Sequence, residues 1–176
     1  NGQPLTSADV AYSFERILDP NSTASLAGTL SLIDSIETPD EQTVVFRLKQ
    51  SHADFPLLLV EYTARIIPDG SGETIGATGI GTGPFKLESL NAEGTTVLVA
   101  NDDYWRGAPE LAAIELIGIA DAEARSAAAL AGQIDALLNT TAVQGELFAA
   151  NPDFVTQSFP TGEWYSLLMR TDTAPF

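Results

Sequence analysis

The stretch Thr78-Gly79-Ile80-Gly81-Thr82-Gly83-Pro84-Phe85, continued downstream by Asn101-Asp102-Asp103-Tyr104-Trp105-Arg106-Gly107, decides how the chain is read. Its alternating glycines either cradle a phosphate or let the backbone turn. A dinucleotide fingerprint needs its third glycine at the place Pro84 occupies. A phosphate loop needs a helix N-terminus directly behind it, whereas Phe85-Lys86-Leu87-Glu88 reads on as a strand. Lys86 also lacks the Ser or Thr that follows a P-loop lysine. The glycines therefore predict a tight, left-handed turn, which glycine enters at little steric cost.

Working outward, residues 84–100 read as a hairpin turning at Asn91-Ala92-Glu93-Gly94. A strand over 113–119 follows, then an alanine-rich helix capped by Asp121 and ended by Gly132. Beyond it the pattern predicts a strand at 134–138, a helix at 141–151 stopped by Pro152, and strands at 153–159 and 163–170. Upstream, Thr6-Ser7-Ala8-Asp9 has N-cap spacing, and Val10, Phe14, Ile17 and Leu18 form one apolar helical stripe that Asp19-Pro20 terminates. Residues 21–29 read as a loop. Strands at 32–37 and 43–48 flank a turn at Thr38-Pro39-Asp40-Glu41. A short helix is expected over 51–62, with Pro56 near its first turn, and a brief strand over 63–67. Residues 69–83 are rich in Gly, Ser and Thr, without hydrophobic periodicity, and mark the best internal boundary. Strands alternating with helices predict an α/β domain with a mixed sheet.

Composition narrows the partners. Hydrophobic residues make up 44% and charged residues 18%, a globular balance within the size of one ordinary domain. No apolar run reaches the roughly 18 residues of a membrane span. Eight Lys and Arg against 24 Asp and Glu leave a net charge of −16, which repels phosphate backbones and makes nucleic acid an unfavourable partner. The same charge also serves simple solubility. With no cysteine, disulfides, zinc-thiolate sites and cysteine nucleophiles are excluded, an absence that suits an exported protein. The chain opens on Asn1-Gly2-Gln3-Pro4 without initiator Met or signal peptide and stops at Ala174-Pro175-Phe176, so the expectation is a piece of a longer protein.

Catalytic chemistry is sparse. His52 is the single histidine and reads as a surface or capping residue; with no cysteine beside it, no metal site is expected. No Gly-x-Ser-x-Gly elbow occurs. Two glycosidase-type carboxylates could sit among the 24 acids, which keeps a carboxylate-dependent hydrolase as an alternative. Asn101-Asp102-Asp103 reads as a turn in which Asn and Asp bond their own backbone. Trp105 reads as a packed cover, while Trp164 and Tyr165, adjacent on a strand, must point to opposite faces. Arg65, the one cation between Lys49 and Lys86, is either a surface or salt-bridged residue or an anion contact.

Four segments together resemble the extracellular solute-binding proteins of the peptide/nickel class, family 5, the receptors of ABC importers. Gly2-Gln3-Pro4-Leu5-Thr6-Ser7-Ala8-Asp9-Val10 with Tyr12-Ser13-Phe14-Glu15-Arg16 looks like that family's "G-x-x-L-T-A-x-D-V-x-x-S" helix. Gly81-Thr82-Gly83-Pro84-Phe85 resembles its "G-T-G-P-Y" turn, and residues 101–109 its "N-x-x-Y-W-x-G-x-P" loop. Gly132-Gln133-Ile134-Asp135 is similar to "G-E-I-D". Order and spacing cover almost the whole chain.

The resemblance implies most of lobe I of a two-lobed, type 2 periplasmic-binding-protein-like receptor that closes on its ligand. Residues 1–176 are then one partial domain, divisible into a small α/β subdomain at 1–75 and the remainder at 76–176, with the N-terminal strand and lobe II absent. The implied role is capture of a peptide, nickel chelate or sugar for delivery to membrane permease subunits, without catalysis or cofactor. The implied place is the periplasm, or the cell surface as a lipoprotein in a Gram-positive host. The ligand-binding candidates are Arg65, matching a cleft-facing Arg of nickel-class members, and Glu163, Trp164, Tyr165 and Ser166, matching a cleft-border strand of peptide-class members. Arg170 stands where the family usually has Asn, which puts contacts near the hinge in question. A third reading, from another class, is a ligand-free module that docks a permease.

Overall fold

The structure, a computed structural model, describes residues 1–138 and 140–159. The chain divides into two compact units, the first ending at Gly118 and the second beginning at Ile119.

The first unit is organised by helix α1 (Ser7–Leu18). Its start is fixed as the sequence predicts: the Thr6 backbone N–H and hydroxyl both donate to Asp9 Oδ2, at 2.7 and 3.1 Å. The apolar stripe buries Phe14 and Ile17 against Leu26, Leu30, Ile33 and Phe55. Phe46 closes this core, its ring 5.1 Å from Phe14 in a T-shaped pair and 5.5 Å from Phe55. Leu30 belongs to a short helix, α2 (Ala27–Leu30), within residues expected to be a loop. It is completely buried, so one apolar side chain docking on the core accounts for a helical turn that local propensity does not announce.

Strands β1 (Ile33–Asp40) and β2 (Thr43–Leu48) pair antiparallel, with Ile36 opposite Phe46. The expected turn at 38–41 lies later, because β1 continues through Pro39 to Asp40. Among the described residues β1 pairs with β2 alone, so Pro39 sits on an open edge, inside a register shift between Glu37 and Asp40 where no ladder amide is required. The expected helix over 51–62 is a single turn, α3 (Phe55–Leu58) with Pro56 in its first turn. Residues 64–68 join no sheet, and the strand expected over 63–67 does not form. Helix α4 (Ile75–Thr78) occupies the middle of the Gly-rich connection and ends at Gly79, whose φ of 57° is left-handed.

Strands β3 (Phe85–Ser89), β4 (Thr95–Ala100) and β5 (Ala113–Ile117) form an antiparallel meander in the order β3-β4-β5. The turn between β3 and β4 falls where expected, with Glu93 N–H donating to Asn91 Oδ1 at 3.2 Å. The α/β class of the sequence reading stands. Where a mixed sheet was expected, the described strands form two separate sheets with every pairing antiparallel.

In the second unit, α5 (Ala122–Leu130) is capped by Asp121, whose Oδ1 accepts from Ala124 N–H at 2.7 Å. Gly132 follows with φ 67°, as its place past a helix end predicts. Helix α6 (Ala142–Ala149) begins with a reciprocal box between Thr141 and Gln144, and Gln144 Nε2 donates to the Ala122 carbonyl at 3.0 Å. The strands expected at 134–138 and 153–159 do not form. Phe154 instead packs its ring 5.0 Å from Phe148 of α6, burying apolar surface without a ladder. The strand expected at 163–170 lies outside the described residues.

Candidate functional site

The apolar stripe of α1 has a polar counterpart, and that second face positions the candidate site. Ser13 is buried, its Oγ within 2.7 Å of the Asp9 carbonyl and 3.2 Å of the Ile67 carbonyl, while accepting from Ile67 N–H at 2.9 Å. Asp9 Oδ1 accepts from Asp69 N–H at 2.9 Å. Tyr12 Oη accepts from Gly72 N–H at 3.0 Å. Residues 67–72 are therefore a strap in which side chains of α1 bond the Ile67, Asp69 and Gly72 amides in place of a neighbouring strand, while Ser71 N–H turns back to the Pro68 carbonyl at 3.0 Å. A Cβ at Gly72 would stand 2.7 Å from the Tyr12 hydroxyl and displace it.

Arg65 lies at the near end of this strap. Its Nε donates to the Tyr62 carbonyl at 2.5 Å, folding the side chain over the turn in which Ala64 N–H donates to the Glu61 carbonyl at 2.9 Å. Glu61, Tyr62 and Thr63 of that turn also line an open concavity of about 380 Å³, whose other wall carries Leu26, Thr29 and Leu58. Arg65 is solvent-exposed and has no carboxylate within 4.0 Å among the described residues, where the ion pairs are Arg47–Glu37 at 2.9 Å and Lys86–Asp103 at 4.0 Å. Of the sequence readings of Arg65, the described residues show the surface form, exposed and without an ion pair. Its guanidinium nitrogens beyond Nε stay available for a planar, bidentate anion contact. The concavity itself is lined by hydroxyl and apolar groups with the Glu61 carboxylate, and Arg65 stands beside that lining on the same turn. The other candidates, Glu163, Trp164, Tyr165 and Ser166, lie outside the described residues.

The acidic groups do other work. Backbone N–H groups of Thr6 and Asp69 hold the Asp9 carboxyl below its ordinary value, because they bond its ionised form. The Arg47 guanidinium does the same to Glu37, and the Gln42 amide to Asp40. No described Asp or Glu is buried; Asp9 is half-buried, and both of its oxygens are engaged. The described residues therefore bring together no pair of buried carboxylates of the kind the hydrolase alternative needs. His52 is exposed at a turn, where its carbonyl accepts from Phe55 N–H.

The turn read at Asn101-Asp102-Asp103 forms, closed by Tyr104 N–H on the Asn101 carbonyl at 3.0 Å. The Asn101 side chain, however, does not bond its own neighbourhood: it is buried, and its Nδ2 donates across the sheet end to the Gly83 carbonyl at 2.9 Å, while its N–H donates to the Pro84 carbonyl at 2.9 Å. Trp105, taken as a packed cover, is 71% exposed, with the Arg106 guanidinium carbon 4.5 Å from its ring centroid. The sequence reasoning did not connect Asp9, Tyr12 and Ser13 with residues 67–72. Their i, i+3, i+4 spacing, on a face of α1 that flanks the apolar stripe beside Ile17, was the signal available.

The comparisons with known proteins agree on one group. Residues 1–176 match the family described as bacterial extracellular solute-binding proteins, family 5, middle region. Di/tripeptide-binding protein 2 of Pseudomonas aeruginosa is 33% identical over 123 residues, 58% of this chain and 23% of that protein. Among solved structures, AgaA of A. tumefaciens R10 in complex with agropinic acid superposes with a TM-score of 0.76 at 32% identity, over 86% of this chain and 32% of that one. The nickel ABC transporter protein of Bacillus halodurans gives 0.73 at 34% identity, over 86% and 31%. The architecture is accordingly that of the periplasmic binding proteins. The chain belongs to the bacterial extracellular solute-binding proteins, family 5. It spans about a quarter to a third of the length of the relatives it matches. The family consists of binding proteins, periplasmic or extracellular, and no helix among the described residues is long and apolar enough to cross a membrane.

Proposed function

We propose that the chain is most of lobe I of an ABC-importer receptor that captures a peptide or a related small, anion-bearing solute between two lobes and hands it to membrane permease subunits. In this reading the N-terminal strand and lobe II belong to the rest of the receptor. Residues 1–75 form its small α/β subdomain and residues 76–176 continue lobe I. The observation that carries the reading is Arg65: an exposed guanidinium without an ion-pair partner among the described residues, on the turn whose neighbouring residues line an open concavity. Hinge closure would desolvate that guanidinium against a ligand carboxylate, where a charge-assisted bidentate pair is strongest. Glu163, Trp164, Tyr165 and Ser166 are proposed as further contacts along the cleft border. The receptor binds and releases without chemistry.

Relatives supply the solute classes. A peptide-binding protein and a protein holding agropinic acid are both similar to this chain, and both ligand types carry a carboxylate. Calorimetric titration of the complete receptor with dialanine, trialanine and agropinic acid tests the proposal. At least one should bind, and Arg65→Ala should weaken that binding by about 10- to 100-fold, the range for a hydrogen bond to a charged group. Binding by none of the three, or equal binding by the variant, would contradict it.

A further inference from the structure

The polar face of α1 has a consequence for the cleft. We propose that Tyr12 and Ser13, with Asp9, are positioning residues: they clamp the 67–72 strap and so fix where Arg65 presents its guanidinium. The proposal rests on the reading of Arg65 as a ligand contact.

The geometry makes the case in three steps. First, the clamp residues sit on one face of α1 and each bonds a different strap amide: Ile67 to Ser13, Asp69 to Asp9 and Gly72 to Tyr12. Second, no sheet partner competes for those amides, since residues 64–68 join no ladder. Releasing the clamp therefore frees the strap locally without opening β1–β2 or the Phe14 core. Third, Ile67 is the strap residue nearest Arg65, and its anchor Ser13 is just 2% exposed, neighbouring Phe14 in the core. The buried Ser13 hydroxyl, oriented by its 2.7 Å contact with the Asp9 carbonyl, accepts the Ile67 N–H at 2.9 Å and so fixes that amide in position. Arg65 inherits this order across Ile66. At the far end the Tyr12 hydroxyl accepts from Gly72 N–H at 3.0 Å, where a Cβ on residue 72 would displace it.

Hydrogen exchange on the complete receptor, read amide by amide, tests this. In Ser13→Ala, the Ile67 amide should exchange about tenfold faster, the loss expected for one hydrogen bond, while the β2 amides keep their rates. Ser13→Thr, which retains the hydroxyl, should restore protection. Tyr12→Phe, at a half-buried site that tolerates the change, should free Gly72 in the same selective way. A spin label at Arg65→Cys paired with one at the exposed Arg47→Cys then reads position: its distance distribution should broaden in the Ser13→Ala background. Unchanged protection and an unchanged distribution would overturn the proposal. So would equal acceleration of strap and β2 amides, which marks a general loss of stability. If strap and label respond as stated but Arg65→Ala binds dialanine, trialanine and agropinic acid as the wild type does, the clamp stands and the ligand role of Arg65 falls.

Discussion

Asn101 Nδ2 donates to the Gly83 carbonyl at 2.9 Å, joining the end of β4 to the loop that enters β3. The Asn101 N–H bonds Pro84 at the same distance, and its carbonyl accepts from Tyr104 N–H at 3.0 Å. One buried side chain thus ties the glycine stretch to the loop carrying Tyr104 and Trp105, which explains why two sequence segments so far apart belong together. Replacing Asn101 by Ala leaves the Gly83 carbonyl without its donor. Asn101 Oδ1 is buried without a partner among the described residues, so the variant also removes an unsatisfied acceptor, and the expected loss is about 0.5–1.5 kcal/mol in urea unfolding, the net worth of one hydrogen bond. A change below a few tenths would mean that the bond is not formed in solution.

Gly79 and Gly76 make opposite predictions within one short segment. Gly79 has φ 57°, and a Cβ there would stand 3.0 Å from Leu87 Cβ and Cδ2. Gly79→Ala should therefore destabilise, by about 1–2 kcal/mol for a left-handed residue with a β-carbon. Gly76 lies inside α4 with nothing within 4 Å of an added Cβ. Gly76→Ala should be neutral or stabilise by up to about 1 kcal/mol through helix propensity. Thermal melts of the two variants side by side check the sign of each.

Acid should loosen the start of α1. Asp9 is held below its ordinary value of 3.8, so it contributes stability above that pH and loses the contribution as pH falls through its lower folded value. Asp9→Asn should be less stable than the wild type at neutral pH, and the gap should close as the pH falls below the ordinary carboxylate value. Glu37 and Asp40 are depressed in the same direction, so the wild type alone will show a composite acid transition. The difference between the two proteins isolates Asp9. A gap that stays constant from pH 7 to pH 2.5 would contradict the assignment.

The sequence showed the local structure where a side chain bonds its own neighbourhood. The caps at Thr6 and Asp121 and the turn at Asn91 involve partners within five residues and were legible from spacing alone, whereas Thr141, read as the first helical residue, is the cap of α6. Readings failed where a distant contact decides. Residues 64–68 have strand-like composition, yet α1 satisfies the strap that follows them, across a separation of 54 residues at Ser13. Leu30 makes a helical turn because the core receives it. Asn101 reaches back 18 residues. Of the proposed site, Arg65 was singled out as the one cation between Lys49 and Lys86 and by resemblance; the bonds between α1 and residues 67–72 could be seen only once the two were placed together.

Ligand identification tests the central claim most directly. The complete receptor, purified from its host without added ligand and denatured into a mass spectrometer, should release a carboxylate-bearing small solute in near-stoichiometric amount, and the Arg65→Ala receptor should release much less of it. Release of nothing by the wild type, or equal release of the same solute by both proteins, would contradict the account.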